Sequence, residues 1–270
     1  MKDWIRVEKQ EHTLVIELNR PKVNAISPLM SRMIHAAVQQ GEADNDVRCM
    51  VITSSNPKVF CAGWDLNALA DGDYSPEKHF DPVEGHGPGG FAGICETFSI
   101  TKPIVSVVRG AAIGGGFEIA LASDVIVAGQ SAYFQLPELM RGFLPDAGGV
   151  QRLPKLISPM IARDLLYTGR RFEADEAKQY GLVARVVEDD KALESAFEIA
   201  ALIGEAAPLA VQACKAVLRQ NEDASLEDAM RLTHPSENKL EIVERMRKSD
   251  DFFEGSRAFI EKRKPRWTGR

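Results

Sequence analysis

Apolar positions along this 270-residue chain follow two rhythms. Short β-branched runs recur at residues 13–18, 49–53, 104–108, 124–127 and 183–187, each of strand length. Between many of them lie stretches with a helix-like apolar face. Residues 28–40 put Leu29, Met33, Ile34, Ala37 and Val38 on one side, and residues 117–122 read the same way. The alternation predicts an α/β fold with buried, parallel-leaning sheets. From about residue 195 the strand runs stop and helical segments follow at 196–204, 208–220, 226–232, 240–248 and 252–263. Pro208 suits a first helical turn, and Ser225 three residues before Asp228 resembles a capping box. The pattern divides the chain into a core, 1–195, and a helical region, 196–270. The second is too small to stand alone and is expected to pack on the core or on another subunit. Residues 71–90, rich in Gly, Pro and acidic side chains, fit neither rhythm. They read as a surface loop, of a length that also suits a lid or binding loop.

Composition adds exclusions. The chain is 44% hydrophobic and 27% charged, an ordinary globular balance. A formal net charge of −6 argues against nucleic-acid or anionic-membrane partners. The basic tail, residues 261–270, is the local exception; it could hold a phosphorylated ligand or be a solvated end. Cys49, Cys61, Cys95 and Cys214 are scattered without metal spacing, so neither a disulfide framework nor a metal site is expected. The first residues lack the apolar stretch of a secretory signal. The longest apolar region, 103–128, is interrupted by Arg109, Glu118 and Asp124, too polar for a bilayer span. The expected location is the cytoplasm.

Three segments could carry chemistry. In AAIGGGFEIA, residues 111–120, three glycines open a helix that contains Glu118. Glycines let a ligand approach the backbone, and the helix N-terminus offers unpaired N–H groups for an anion or developing oxyanion. Tight helix–sheet packing would use the same residues. In Phe60-Cys61-Ala62-Gly63-Trp64-Asp65-Leu66, small residues follow a strand, so an N–H near Trp64 could point into a site; a plain strand-to-helix turn would look alike. In Phe134-Gln135-Leu136-Pro137-Glu138, Pro137 suits a first helical position and puts Glu138 in the first turn. Glu118 and Glu138 could then face one cavity, where desolvation and repulsion separate their protonation states, or Glu138 could be an exposed first-turn glutamate.

Taken in order, these segments resemble the enoyl-CoA hydratase/isomerase (crotonase) superfamily. The likeness runs from residues 19–25 through 60–66, 110–124, 134–138 and 145–154 to 168–170, 177–183 and 259–263. It implies a spiral of ββα units with a C-terminal helical trimerisation region, as a homotrimer or dimer of trimers. It implies acyl-CoA substrates, with CoA entering as part of the substrate and no other cofactor. Carried over, the oxyanion donors are the N–H groups of Trp64 and Gly115, and Glu118 and Glu138 occupy the hydratase acid/base positions. Lys22, Val23, Ala62, Asp65, Leu66 and Gly114 fall at substrate- or CoA-binding positions. Two glutamates favour hydration or dehydration over double-bond isomerisation, which typically keeps the second alone. A non-catalytic relative that binds RNA or protein is the reading from another class. A finer likeness, at residues 62–66, 87–93, 116–118 and 267–270, is to the carnitinyl-CoA dehydratase branch. That branch implies a trimethylammonium acyl group, for which Trp64, Tyr74, Phe91 and Tyr133 are candidate aromatic faces. The sequence departs from the branch in the acidic and histidine residues of 71–90 and at Arg109-Gly110-Ala111.

Overall fold

β-Branched runs with apolar residues on both sides need cover on both faces, and in the computed structural model they have it. The structure describes residues 2–67, 76–237 and 240–270. Strands β1 (Ile5–Gln10), β2 (Thr13–Leu18), β3 (Cys49–Ser54), β5 (Ile104–Val108), β7 (Val125–Gly129) and β10 (Arg185–Val187) form one sheet in the order β1-β2-β3-β5-β7-β10. All its pairings are parallel except the β1–β2 hairpin at the edge. Alternate residues divide between two cores. Leu14, Ile16, Leu18, Met50 and Ile52 join the main core with Ile34 and Val38 of α1 (Pro28–Ala43). Val15, Val51, Val105 and Val127 pack instead on Ala192, Ala196 and Ala200 of the long C-terminal helix Ala192–Glu205.

A second sheet, in the order β4-β6-β8-β9, is built from β4 (Val59–Cys61), β6 (Ala111–Ile113), β8 (Tyr133–Gln135) and β9 (Phe172–Glu173). The chain passes repeatedly from a strand of the first sheet to one of the second and then into a helical turn. Thus β5 leads to β6 and α2 (Gly115–Leu121), and β7 leads to β8 and a 3₁₀ turn at Glu138–Arg141. This is the expected spiral of ββα units. β4, β6 and β8 are parallel neighbours, so their C-terminal ends deliver three loops side by side. Those loops carry Trp64, Gly115 and Glu138.

The helices that follow are α3 (Gly149–Leu156), α4 (Pro159–Thr168), α5 (Ala174–Gln179), α6 (Ala192–Glu205), α7 (Pro208–Asn221), α8 (Leu226–Arg231), α9 (Glu241–Lys248) and α10 (Asp251–Ile260). Pro208 takes the first turn of α7, and Ser225 Oγ accepts the Asp228 N–H at 3.1 Å, as the cap pattern requires. The C-terminal helices pack on the core: Lys215 Nζ donates to the Lys102 carbonyl at 2.8 Å and pairs with Asp124 at 2.7 Å. The basic tail folds back. Asp251 accepts the Thr268 and Gly269 N–H groups at 2.7 and 2.8 Å, and Arg263 pairs with Glu254 and Glu261. Among the described residues no single helix is long and apolar enough to cross a membrane.

Candidate active site

The three loops at the ends of β4, β6 and β8 meet around a cavity of about 750 Å³. Ala62, Trp64, Leu66, Gly114, Gly115, Glu118 and Glu138 all line it. Each is placed by local geometry. Gly114 caps α2 with φ 56°, where its N–H donates to the Gln135 carbonyl at 2.8 Å. A Cβ at Gly114 would strike the Glu138 carboxylate, one at Gly115 would strike the Phe91 ring, and one at Gly116 would strike the Cys61 carbonyl. Gly63 approaches so closely that its Cβ would meet the Gly115 nitrogen at 2.8 Å. The glycine run is therefore tight packing and ligand access at once: it lets β4 and α2 touch and leaves the Gly115 N–H at the helix start, without an intrahelical acceptor. Gly116→Ala is expected to destabilise the fold by about 1–3 kcal/mol, measured by urea unfolding, because the methyl meets backbone that cannot move aside.

Glu118 follows one turn into α2 and is 4% exposed. Its Oε1 accepts the Gly149 N–H at 2.8 Å from the start of α3. Arg152 fixes that loop, donating to the Cys95 carbonyl at 2.6 Å and the Ala147 carbonyl at 3.2 Å. Glu138 opens a 3₁₀ turn in place of the expected α-helix, with Pro137 as its cap residue. The turn is short because Gly142, with φ 82°, ends it at once. Glu138 Oε2 is buried and has no hydrogen-bond partner among the described residues. Burial pushes the Glu118 carboxyl up to about 8, against the Gly149 hydrogen bond and with help from the charges of Glu138 and Asp146. Burial likewise pushes Glu138 up to about 7, aided by Asp146 and opposed by Arg141. Two carboxyls poised near neutrality in one cavity suit paired proton transfer.

The other expected residues lie elsewhere. Asp65 is outside the cavity wall and pairs with Arg20 at 2.5 Å. Lys22 and Val23 lie on the loop behind β4, where the Val23 carbonyl accepts the Ala62 N–H at 3.0 Å. Of the aromatic candidates, Trp64 and Phe91 line the cavity. Tyr133 instead carries the Arg171 guanidinium over its ring at 4.2 Å, and Tyr74 lies outside the described residues. Several lining side chains were given no site role by the sequence, His79, His86, Glu96 and Asp146 among them. His79 Nε2 pairs with Glu96 at 2.9 Å, and that bond raises the His79 imidazole. Far from being a plain surface loop, the end of the 71–90 stretch turns inward, and His86 is 1% exposed.

The family model described as Enoyl-CoA hydratase/isomerase matches residues 8–270. The chain belongs to the enoyl-CoA hydratase/isomerase family. It is 42% identical over 269 residues to the carnitinyl-CoA dehydratase of Salmonella arizonae and 40% identical over 270 residues to that of Proteus mirabilis, covering 100% of both chains in each case. Among solved structures, the enoyl-CoA hydratase of Mycobacterium tuberculosis H37Rv matches with a TM-score of 0.88 at 34% identity, covering 100% of both chains. The enoyl-CoA hydratase of Bacillus anthracis matches with a TM-score of 0.86 at 32% identity, covering 99% of this chain and 100% of the other. The spiral is thus the crotonase fold.

Proposed function

We propose that this chain catalyses the reversible addition of water across the C2=C3 bond of a 2-enoyl-CoA thioester. The observation that carries the reading is the pair Glu118 and Glu138, both shifted toward neutrality and lining one cavity beside the Gly115 N–H. The thioester carbonyl accepts hydrogen bonds from the Trp64 and Gly115 N–H groups, which makes C3 electrophilic and holds the enolate-like state. In hydration, Glu118 takes a proton from water as its oxygen bonds to C3, and Glu138 delivers a proton to C2. In dehydration, Glu138 takes the C2 proton while Glu118 protonates the leaving hydroxyl. One proton shared by the pair near neutral pH serves either direction. No metal or redox cofactor enters the scheme, and CoA arrives as part of the substrate. Ala62 and Leu66 would line the thioester end, with Lys22, Val23 and Asp65 toward the CoA moiety. We assign residues 196–270 to assembly, as a homotrimer or a dimer of trimers. The large exposed apolar side chains Phe252, Phe253, Phe259 and Ile260 on α10 support that role.

The relatives' name, carnitinyl-CoA dehydratase, brings carnitinyl-CoA and the product of its dehydration, crotonobetainyl-CoA, into the proposed substrate class, and Trp64 and Phe91 supply aromatic faces a quaternary ammonium could use. A turnover panel of short 2-enoyl-CoAs, with crotonyl-CoA and crotonobetainyl-CoA among them, is expected to yield 3-hydroxyacyl products. Rates with straight-chain substrates that equal or exceed the crotonobetainyl rate would remove the carnitine reading and leave hydration intact. Interconversion of 2-enoyl and 3-enoyl thioesters without any hydroxyacyl product would make the chain an isomerase. No turnover of any thioester would favour a non-catalytic binding role.

A further inference from the structure

His86 is the most completely buried polar group in the cavity wall that the hydration scheme does not use. Its side chain is 1% exposed, and Nε2 has no hydrogen-bond partner among the described residues. An imidazole nitrogen left unpaired in the interior costs about 1–3 kcal/mol, so a fold retains one where something else rewards it. Its orientation is fixed from behind. His86 Nδ1 lies 2.7 Å from Ser31 Oγ on α1, and that oxygen already accepts the Ala92 N–H at 2.9 Å. A serine hydroxyl accepts up to two hydrogen bonds and donates one, so Ser31 keeps its own hydrogen available for Nδ1; with that hydrogen given to Nδ1, the ring proton sits on Nε2. With Nδ1 held against α1, the imidazole sits among cavity-lining rings. The His79, Phe91 and Trp64 ring centroids lie 5.1, 5.5 and 6.0 Å from that of His86. Burial, together with the neighbouring His79, holds His86 neutral, with its pKa lowered to about 4. In that tautomer His86 is a neutral N–H donor in an aromatic wall. The Phe91 ring beside His86 is also the ring that a Gly115 Cβ would strike.

We propose that His86 Nε2–H recognises a hydrogen-bond-accepting oxygen, a hydroxyl or carboxylate, on the acyl chain beyond C3. This deepens the hydratase reading and rests on it for the identity of the thioester. It also separates this chain from a purely cationic specificity, because a quaternary ammonium has no lone pair to offer the donor. Ser31 is the positioning residue that sets the tautomer.

The test compares matched substrates of equal length: hex-2-enoyl-CoA, 6-hydroxyhex-2-enoyl-CoA and the corresponding ω-carboxy thioester, with crotonobetainyl-CoA alongside. The wild-type kcat/KM is expected to favour at least one oxygen-bearing substrate over the alkyl one by about ten- to a hundred-fold, one hydrogen bond's worth of discrimination. In His86→Phe, which keeps an aromatic ring of similar size, that ratio falls toward 1, and in Ser31→Ala it falls part-way. The hydroxyl and carboxylate arms tell a neutral acceptor from an anion. Binding of the saturated hexanoyl-, 6-hydroxyhexanoyl- and ω-carboxy-CoA thioesters to the wild-type protein by calorimetry gives the same ratio without chemistry. Wild-type rates and affinities that favour the alkyl or crotonobetainyl thioester overturn the proposal, as does a ratio that survives His86→Phe. Failure to hydrate any substrate, with the binding ratio intact, overturns the hydration reading and leaves His86's role standing.

Discussion

Glu138→Gln is expected to lower kcat for water addition to crotonyl-CoA by about 10²–10⁴-fold, with little change in KM. The amide keeps the shape of the carboxyl and, like the half-neutral acid, can sit in the same buried wall. It cannot deliver or accept the C2 proton. Glu118→Gln is expected to act similarly through the loss of the proposed water-activating base. Its amide oxygen can still accept the Gly149 N–H, so a loss there reports chemistry and not loop collapse. Because the proposed scheme has the two groups handle one reaction in concert, the double variant should be little slower than the worse single variant. Steady-state rates of the three variants against crotonyl- and crotonobetainyl-CoA make the measurement. Unchanged activity in both single variants would remove the acid/base assignment altogether. Loss in Glu138→Gln alone, with 2-enoyl to 3-enoyl exchange retained in Glu118→Gln, would point to isomerisation.

The site's two halves differ in how far the chain itself announced them. The first sheet was legible because each of its inner strands is five or six residues of β-branched side chains covered on both faces, as Val51 and Ile52 illustrate. The second sheet was not, since strands of two or three residues such as Val59–Cys61 and Phe172–Glu173 are shorter than one readable period. Edge strand β1 was missed for another reason: its sequence, IRVEKQ, alternates only at Ile5 and Val7 and is almost wholly exposed. Within the site, the glycines and Glu118 were visible because a poor helix former and a carboxylate at the head of an apolar helix conflict with local rules, and such conflicts gather at functional positions. Glu138 lines the cavity from a 3₁₀ turn where an α-helical first turn was expected. His86 and Asp146 left no local trace. His86 is positioned by Ser31, 55 residues earlier, and Asp146 by a turn that only makes sense once α3 packs on α2. Long-range placement of a single polar side chain is the part that a one-dimensional pattern does not encode.

The same burial that suits Glu118 to the proposed chemistry should make it a stability liability, and the sign is testable. Its carboxyl is held at about 8 in the folded protein against an ordinary value of 4.5. Between those values the folded state keeps a proton that the unfolded chain has released. Stability contributed by this group is therefore present below about pH 4.5 and lost as pH rises through 8. Glu118→Gln removes the titration. Its stability advantage over the wild type should be smallest near pH 5 and grow toward pH 9, reaching on the order of 4 kcal/mol. Urea unfolding of both proteins at a series of pH values measures the difference directly. A gain that is flat or that shrinks as pH rises would mean that Glu118 is not held neutral by burial. The proposed acid/base pairing would then lose its electrostatic basis, whatever the kinetics of the variant. Glu138→Gln should follow the same direction over a lower window, ending near pH 7, because that carboxyl is shifted less. The activity losses and the alkaline stability gains would then fall on the same two residues. That coincidence is the mark of groups held in an unfavourable setting for what they do to a substrate rather than for the fold.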